Sequence, residues 1–185
     1  SLKNYQIVIG GFNGVYGKPS SYIGYEKFLT NDLKCLRFWP ELQKYLFKCT
    51  ETDNDKYKDY PYRRVWARNT QSFGKSYNNI DVSVIPLLDT KFNNCKSELK
   101  MLEAGMKCKA AIVSKVKPYT ILATDKNSFQ VDSTYSFYTQ MRYCINNPND
   151  VNERAAQLRY DVVTKHSLQV LTEKRKDLYL NYINK

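Results

Sequence analysis

The chain has 185 residues, with 29 Lys and Arg against 18 Asp and Glu, a formal net charge of +11. Its length suits one domain with a substantial core, and its charge suits an anionic partner: a nucleotide diphosphate, nucleic acid or an acidic membrane face. No apolar run approaches the ~20 residues that span a bilayer, and the five scattered cysteines (Cys35, Cys49, Cys95, Cys108, Cys144) lack Cys-x-x-Cys spacing, which argues for reduced thiols and against a disulfide framework or zinc site.

No signal peptide is visible, although the chain starts at Ser1. These features are compatible with a cytoplasmic location and with peripheral contact at the inner face of the membrane. The many Lys, Asn and Tyr residues match a codon-level bias toward A and T, so the charge alone does not choose among the anionic partners.

In chain order, Tyr5–Ile9 reads as a short buried strand that ends at Gly10–Gly11, a strand-to-loop junction open to close approach by a ligand or simply a tight turn. From Gly14 to Asn69 the sequence is rich in tyrosine and reads as an insertion on a smaller common core. Within it, Trp39–Tyr45 suits a helix with Pro40 at its first position. Asp53–Tyr62 suits a charged loop and Arg64–Ala67 a strand. Ser72–Asn79 reads as a short helix before the next strand.

The stretch DVSVIPLLDTKFNNCKSELKMLEAGMKCKAAIVSKVKPY, Asp81 to Tyr119, is the most legible. Val82–Leu88 is apolar on both faces, as expected of a parallel strand covered on both sides, with Val82–Pro86 as the central strand of its sheet. Asp89–Asn94 is a polar loop, Ser97–Cys108 has helical period, and Ala110–Val113 is a second apolar run. Strand, helix and strand within about 30 residues form a crossover unit. Such a unit places the first loop and the helix start at the carboxyl edge of the sheet, where doubly wound folds bind ligands.

On that helix Leu99, Leu102 and Met106 fall on one stripe, expected to face the core. Lys96, Lys100 and Lys107 fall on a neighbouring stripe, and Glu103 lies on the border. Unpaired N–H groups near Ser97, Glu98 and Leu99, with Lys96 and Lys100, suit a diphosphate. Glu103 suits two vicinal hydroxyls, as on a ribose. The alternative is structural: Ser97 or Asn94 caps the helix, and Lys100 with Glu103 forms a surface pair worth roughly a few tenths of a kcal/mol.

Beyond the unit, Ser128–Val131 reads as an edge strand and Ser133–Asn147, Val151–Val163 and Ser167–Ile183 as three helices. The fold class is therefore α/β: a Rossmann-like, three-layer domain with a mostly parallel sheet and a helical C-terminus. No internal repeat or low-complexity segment occurs.

Residues Asp81 to Tyr119 resemble the donor-binding half of GT-B-fold glycosyltransferases that transfer sugars from nucleotide diphosphates with retention of configuration. The resemblance rests on Asp81, the VSVIP run up to Pro86, Asn94, Lys96–Ser97, Leu102–Glu103–Ala104, and the loop containing Ser114, Val116, Pro118 and Tyr119. In that family the second of two glutamates binds the nucleotide ribose, and Glu103 aligns with it. The first would fall at Cys95, and a Gly-x-Pro after the helix is replaced by Cys108, Lys109 and Ala110.

The resemblance implies that residues 1–185 are a single nucleotide-sugar-binding domain, half of a GT-B enzyme with an insertion around 14–69. An N-terminal acceptor-binding domain is expected upstream. Lys96, Ser97, Glu98, Leu99, Lys100 and Glu103, with Gly10 and Gly11, are the expected donor-binding residues; no catalytic residue is assigned. The family usually works without a metal, so no cofactor is expected beyond the nucleotide-diphosphate sugar donor, which would glycosylate a glycan, a lipid-linked sugar or a protein acceptor.

Two other classes stay open: a noncatalytic nucleotide-binding module, and a single-strand nucleic-acid binder built on Tyr57, Tyr60, Tyr62, Arg63, Arg64, Trp66 and Arg68. No RNA-recognition, helix-turn-helix or zinc-finger pattern accompanies those residues. His166, the only histidine, lies between two helices with no partner pattern, and no Walker A loop, Gly-x-Gly-x-x-Gly or His-Glu-x-x-His occurs. Asp89 reads as a turn residue, and no paired carboxylates suggest glycoside hydrolysis.

Overall fold

The computed structural model describes residues 5–12, 62–66 and 70–183. The expected helix at Trp39–Tyr45, the charged loop before Tyr62 and most of the expected insertion lie outside these residues. The chain divides into two units, Ser1–Ser76 and Tyr77–Lys185.

In the first unit, β1 (Ile7–Phe12) pairs in parallel with β2 (Tyr62–Trp66). Ile7 lies opposite Tyr62 and Gly10 opposite Val65; the register then slips, so that Phe12 faces Trp66. Gly10 and Gly11 are thus inside the strand rather than at its junction with a loop. The physical reason is that β2 continues to supply ladder partners beyond Ile9, and glycine tolerates the irregular step.

The second unit is built on three parallel strands in the order β3 (Val82–Ile85), β4 (Ala110–Ser114), β5 (Phe129–Val131). A 3-10 turn at Phe73–Tyr77 occupies the place expected for a short helix. Helix α1 (Leu99–Met106) crosses from β3 to β4, and the short α2 (Lys117–Thr120) follows β4. Then come α3 (Thr134–Asn146), α4 (Pro148–His166) and α5 (Leu168–Ile183).

The central strand is β4, not Val82–Pro86. Ala110, Ala111, Ile112 and Val113 are fully buried, whereas Val84 of β3 is half exposed. The small, unbroken Ala-Ala-Ile-Val run packs on both faces, while β3 stops at Ile85 and forms an edge of the described sheet.

The two-residue period of β4 divides the core. Ala111 and Val113 face Met101 of α1, Leu158 and Val162 of α4, and Tyr119 of α2. Ala110 and Ile112 face Phe129, Cys144 of α3, and Val151 and Ala155 from the start of α4. Helix α4 thus contributes to both layers, and the sheet is covered on both faces.

Helix α1 buries a different stripe from the expected one. Met101, Ala104 and Gly105 are buried, Leu102 is partly buried, and Leu99 and Met106 are half exposed. The reason is close approach to α4: a Cβ on Gly105 would lie 2.7 Å from Val162 Cγ2 and 3.0 Å from Leu158 Cγ. Only the absence of a side chain at Gly105 admits that distance. Arg159 donates to the Met106 carbonyl at 3.1 Å, fixing the far end of the same contact.

Helix α1 ends in a Schellman turn. Lys109 N–H donates to Ala104 O and Cys108 N–H to Gly105 O, both at 2.9 Å, with Cys108 at φ 53°. That left-handed conformation favours glycine, so Cys108 carries backbone strain.

The loop before β5 is held from α4. Asn127, fully buried, donates to Leu122 O and to Asp161 Oδ2 and accepts from Thr124 N–H. Burial opposes ionisation of Asp161, but hydrogen bonds from Asn127, Lys165 and Gln157 and the Lys165 charge outweigh it and hold the carboxyl below its usual range. Arg154 donates to the carbonyls of Asp125 and Ser128, pairs with Asp150, and lies over the Phe129 ring.

Cys108→Gly is expected to raise stability by about 0.5–1 kcal/mol by relieving the left-handed strain. Gly105→Val is expected to lower it by about 1–3 kcal/mol through overpacking against α4. Urea unfolding of both variants checks the pair; an indifferent Gly105→Val would contradict the close contact.

Candidate functional site

Strands β3, β4 and β5 all end at one edge of the sheet, at Ile85, Ser114 and Val131. Two bonds tie this edge together: Leu87 N–H donates to the buried Ser114 Oγ at 2.8 Å, and Lys115 N–H to Val131 O at 2.7 Å.

The loop from Pro86 to Ser97 is ordered by its own polar side chains. Asn93 Nδ2 donates to Leu88 O at 2.9 Å, Asn93 N–H to Thr90 Oγ1 at 3.1 Å, and Asn94 Nδ2 to Asp89 Oδ1 at 2.7 Å. Asp89 is therefore a turn residue, as its position suggests. A single 3-10 turn at Asn93–Cys95 follows, and Lys96 Nζ lies 5.2 Å from the Phe92 ring centre.

This loop delivers the chain to the start of α1. The Glu98 carbonyl accepts the first two helical bonds, from Met101 N–H at 2.8 Å and Leu102 N–H at 3.1 Å. The N–H groups of Ser97, Glu98 and Leu99 make no hydrogen bond among the described residues, and no side chain caps the helix. Neither Ser97 nor Asn94 takes the capping role, so the positive end of the helix keeps its donors.

His166 enters the same edge because α4 runs antiparallel to α1. With Arg159 at the far end of α1, the last residue of α4 meets its beginning, and His166 Nδ1 stands 3.9 Å from Glu98 Oε1. Both side chains are about four-fifths buried. The partner that the sequence does not show for His166 is thus Glu98, an ion pair when the imidazole is protonated. The Glu98 carboxylate adds negative charge at a helix end that otherwise attracts anions, with Lys96 as the nearby cation in sequence.

Glu103, a turn further along, is only 19 % exposed although Lys100 beside it is 55 % exposed. Its Oε2 accepts from Tyr77 Oη at 2.7 Å and from Lys100 Nζ at 3.0 Å. The surface pair anticipated as the structural alternative does form, and Tyr77 adds a buried partner. Burial, the hydrogen bond to Glu103 and the Glu103 charge together raise the Tyr77 phenol well above its usual range. Helical geometry sets Glu103 nearly opposite Met101, so its shelter comes from Tyr77 and not from the α1 core stripe.

Lys96, Ser97, Glu98, Leu99, Lys100 and Glu103 therefore form one continuous segment, the end of a loop and the first turns of α1. Gly10 and Gly11 belong to the sheet of the other unit. Sequence reasoning missed Tyr77, Ser114 as the tether of Leu87, and His166 opposite Glu98. All three contacts join residues 26 or more positions apart, beyond any local pattern. Among the described residues no cluster of three or more His, Cys, Asp or Glu could hold a metal ion, and no helix is long and apolar enough to cross a membrane.

No protein-family model matches the chain, and no curated protein sequence does either. Crystal structures similar to it include these two. One is TarM, with a TM-score of 0.56 and 14 % identity over 94 % of this chain, which spans 28 % of the TarM chain. The other is the C-terminal domain of a glycosyl transferase group 1 family protein, LpcC, from Francisella tularensis. There the TM-score is 0.50 with 17 % identity, over 89 % of this chain and 87 % of that one. At these identities the likeness is one of fold: a parallel α/β, Rossmann-like sheet with a helical C-terminus, as in the C-terminal domain of that glycosyl transferase.

Ser114→Ala is expected to leave the Leu87 N–H without its acceptor, at a cost of about 1–3 kcal/mol. Hydrogen exchange at the Leu87 amide should accelerate while that of Ile112 stays slow. An unchanged Leu87 rate would show that Ser114 does not tether the loop.

Proposed function

We propose that this chain is the donor-binding part of a glycosyltransferase, holding a nucleotide-diphosphate sugar at the carboxyl edge of its parallel sheet while a second, N-terminal domain presents the acceptor. One observation carries this reading: the uncapped start of α1 and the carboxylate of Glu103 lie on one helix, about 6 Å apart along its axis. That spacing suits a diphosphate and the ribose joined to it. The LpcC likeness supports the reading through fold, and the resemblance of Asp81 to Tyr119 to GT-B donor domains supports it through residues.

In this scheme the N–H groups of Ser97, Glu98 and Leu99 and the side chains of Lys96 and Ser97 receive the diphosphate. Negative charge grows on it as the glycosidic bond to the sugar breaks, and fixed dipoles stabilise that growth without reorganising. Glu103 accepts hydrogen bonds from the ribose. Phosphate must displace or outweigh the Glu98 carboxylate, which His166 partly neutralises when protonated. Catalysis in a retaining scheme, and a cytoplasmic site of action in glycan synthesis, belong to this proposal.

Uridine or guanosine diphosphate is expected to bind the 185-residue chain weakly, roughly in the range from tens of micromolar to millimolar, since one domain alone bears the ordering cost. Glu103→Ala should weaken the ribonucleotide more than inorganic pyrophosphate, because the lost contacts are to hydroxyls. Calorimetric titration measures both; equal losses would reduce Glu103 to a structural residue. Strong, salt-steep binding of a single-stranded oligonucleotide with no diphosphate binding would favour a nucleic-acid role instead.

A further inference from the structure

Glu103 does not stand alone on its helix. Both of its hydrogen bonds fall on the same oxygen, Oε2, one from the Tyr77 phenol at 2.7 Å and one from the Lys100 ammonium at 3.0 Å. The two donors differ in character. Lys100 is a flexible, mostly exposed side chain one turn away on the same helix. Tyr77 is 8 % exposed and arrives from the turn before β3, 26 residues earlier in the chain. An aromatic ring fixed in the core is a rigid donor, whereas a lysine is not.

A carboxylate oxygen offers about two acceptor sites, so two donors fill Oε2. No hydrogen bond among the described residues falls on Oε1. A glutamate on an exposed helix face would otherwise sample many rotamers and present either oxygen. Here one oxygen is held and the other is presented.

We infer that Tyr77 is the positioning residue for sugar-hydroxyl recognition at this site: its buried phenol holds Oε2 of Glu103 so that Oε1 faces the ribose of a nucleotide diphosphate. The inference rests on the proposed donor-binding role and adds a residue outside α1 to it. Tyr77 touches no ligand; it acts through Glu103, by restricting the carboxylate to one orientation. Loss of the phenol hydroxyl leaves Lys100 as the only donor to Glu103 among the described residues, and the carboxylate regains its freedom.

The test compares uridine diphosphate, 2′,3′-dideoxyuridine diphosphate and inorganic pyrophosphate as ligands of the full chain, by NMR or calorimetric titration. Wild type is expected to prefer the ribonucleotide over the dideoxy form. Tyr77→Phe keeps the ring in the core and should reduce that preference by about 3- to 10-fold, the net effect of one ordinary intramolecular hydrogen bond. Its affinity for pyrophosphate should stay unchanged, which a general structural defect would not leave intact. Glu103→Gln should lower the preference as well, and the double variant should lose little beyond Glu103→Gln alone, because both act on one contact. If Glu103→Gln lowers the preference and Tyr77→Phe leaves it at the wild-type level, Tyr77 is only packing and the inference is overturned. If Glu103→Gln also leaves it unchanged, the ribose assignment itself fails. Should Tyr77→Phe not fold, Lys100→Met on the wild-type background replaces it: a near-complete loss of preference there would give the positioning role to Lys100 and overturn the inference, while a small loss supports Tyr77.

Discussion

The arrangement of the second unit depends on how closely α1 approaches α4 at Gly105. With Val162 Cγ2 2.7 Å and Leu158 Cγ 3.0 Å from where a side chain would begin, the contact admits no Cβ without movement. It decides which face of α1 is buried: Met101, Ala104 and Gly105, in place of Leu99 and Met106. With that face fixed, Glu103 turns away from the helix pair toward Tyr77, and the start of α1 lies at the sheet edge with its N–H donors unpaired among the described residues. The antiparallel run of α4 from the same contact carries His166 to Glu98. One glycine at close quarters thus orients both halves of the candidate site.

The electrostatics of that edge are balanced and not simply positive. An uncapped helix start and Lys96 attract anions, but Glu98, the residue preceding the helix, adds a sheltered negative charge at that end. In the proposed role a phosphate contends with Glu98, and its affinity rests on several modest donors in place of one dominant cation. The net charge of +11 adds long-range attraction for any polyanion and little selectivity. In the proposed donor-binding role, the source of selectivity is Glu103, whose Oε2 accepts from Tyr77.

The strand–helix–strand unit was legible because its signals are local: an apolar run, a polar loop with Asn and Asp, a helical period, and a second apolar run. The parallel pairing of Val82 with Ala110 and of Ile85 with Val113 follows that plan. The three C-terminal helices were legible for the same reason, to within a few residues at their ends. What the local pattern misjudged was set by tertiary contacts. Periodicity ranks Leu99 and Met106 above Ala104 and Gly105 for burial, yet the close approach to α4 falls at Gly105. Val82–Pro86 looks more strand-like than Ala110–Ser114, but the Ala-Ala-Ile-Val run is the one buried between two layers. Gly10–Gly11 suggests a turn, whereas the ladder with Val65 and Trp66 carries the strand through it. Tyr77, Ser114 and His166 meet their partners only in three dimensions. Nothing in their sequence neighbourhoods announces them.

In the proposed function the start of α1 and the carboxylate on its second turn form a single ligand site at the carboxyl edge of the sheet. The most direct measurement is a map of backbone amide shifts in the 15N-labelled chain titrated with uridine diphosphate. The account predicts concentration-dependent shifts concentrated in residues 96–103, with weaker ones at Ser114 to Lys117, and none along α5. Saturating shifts confined to other elements, with the amides of Ser97, Glu98, Leu99 and Glu103 unmoved, would contradict it.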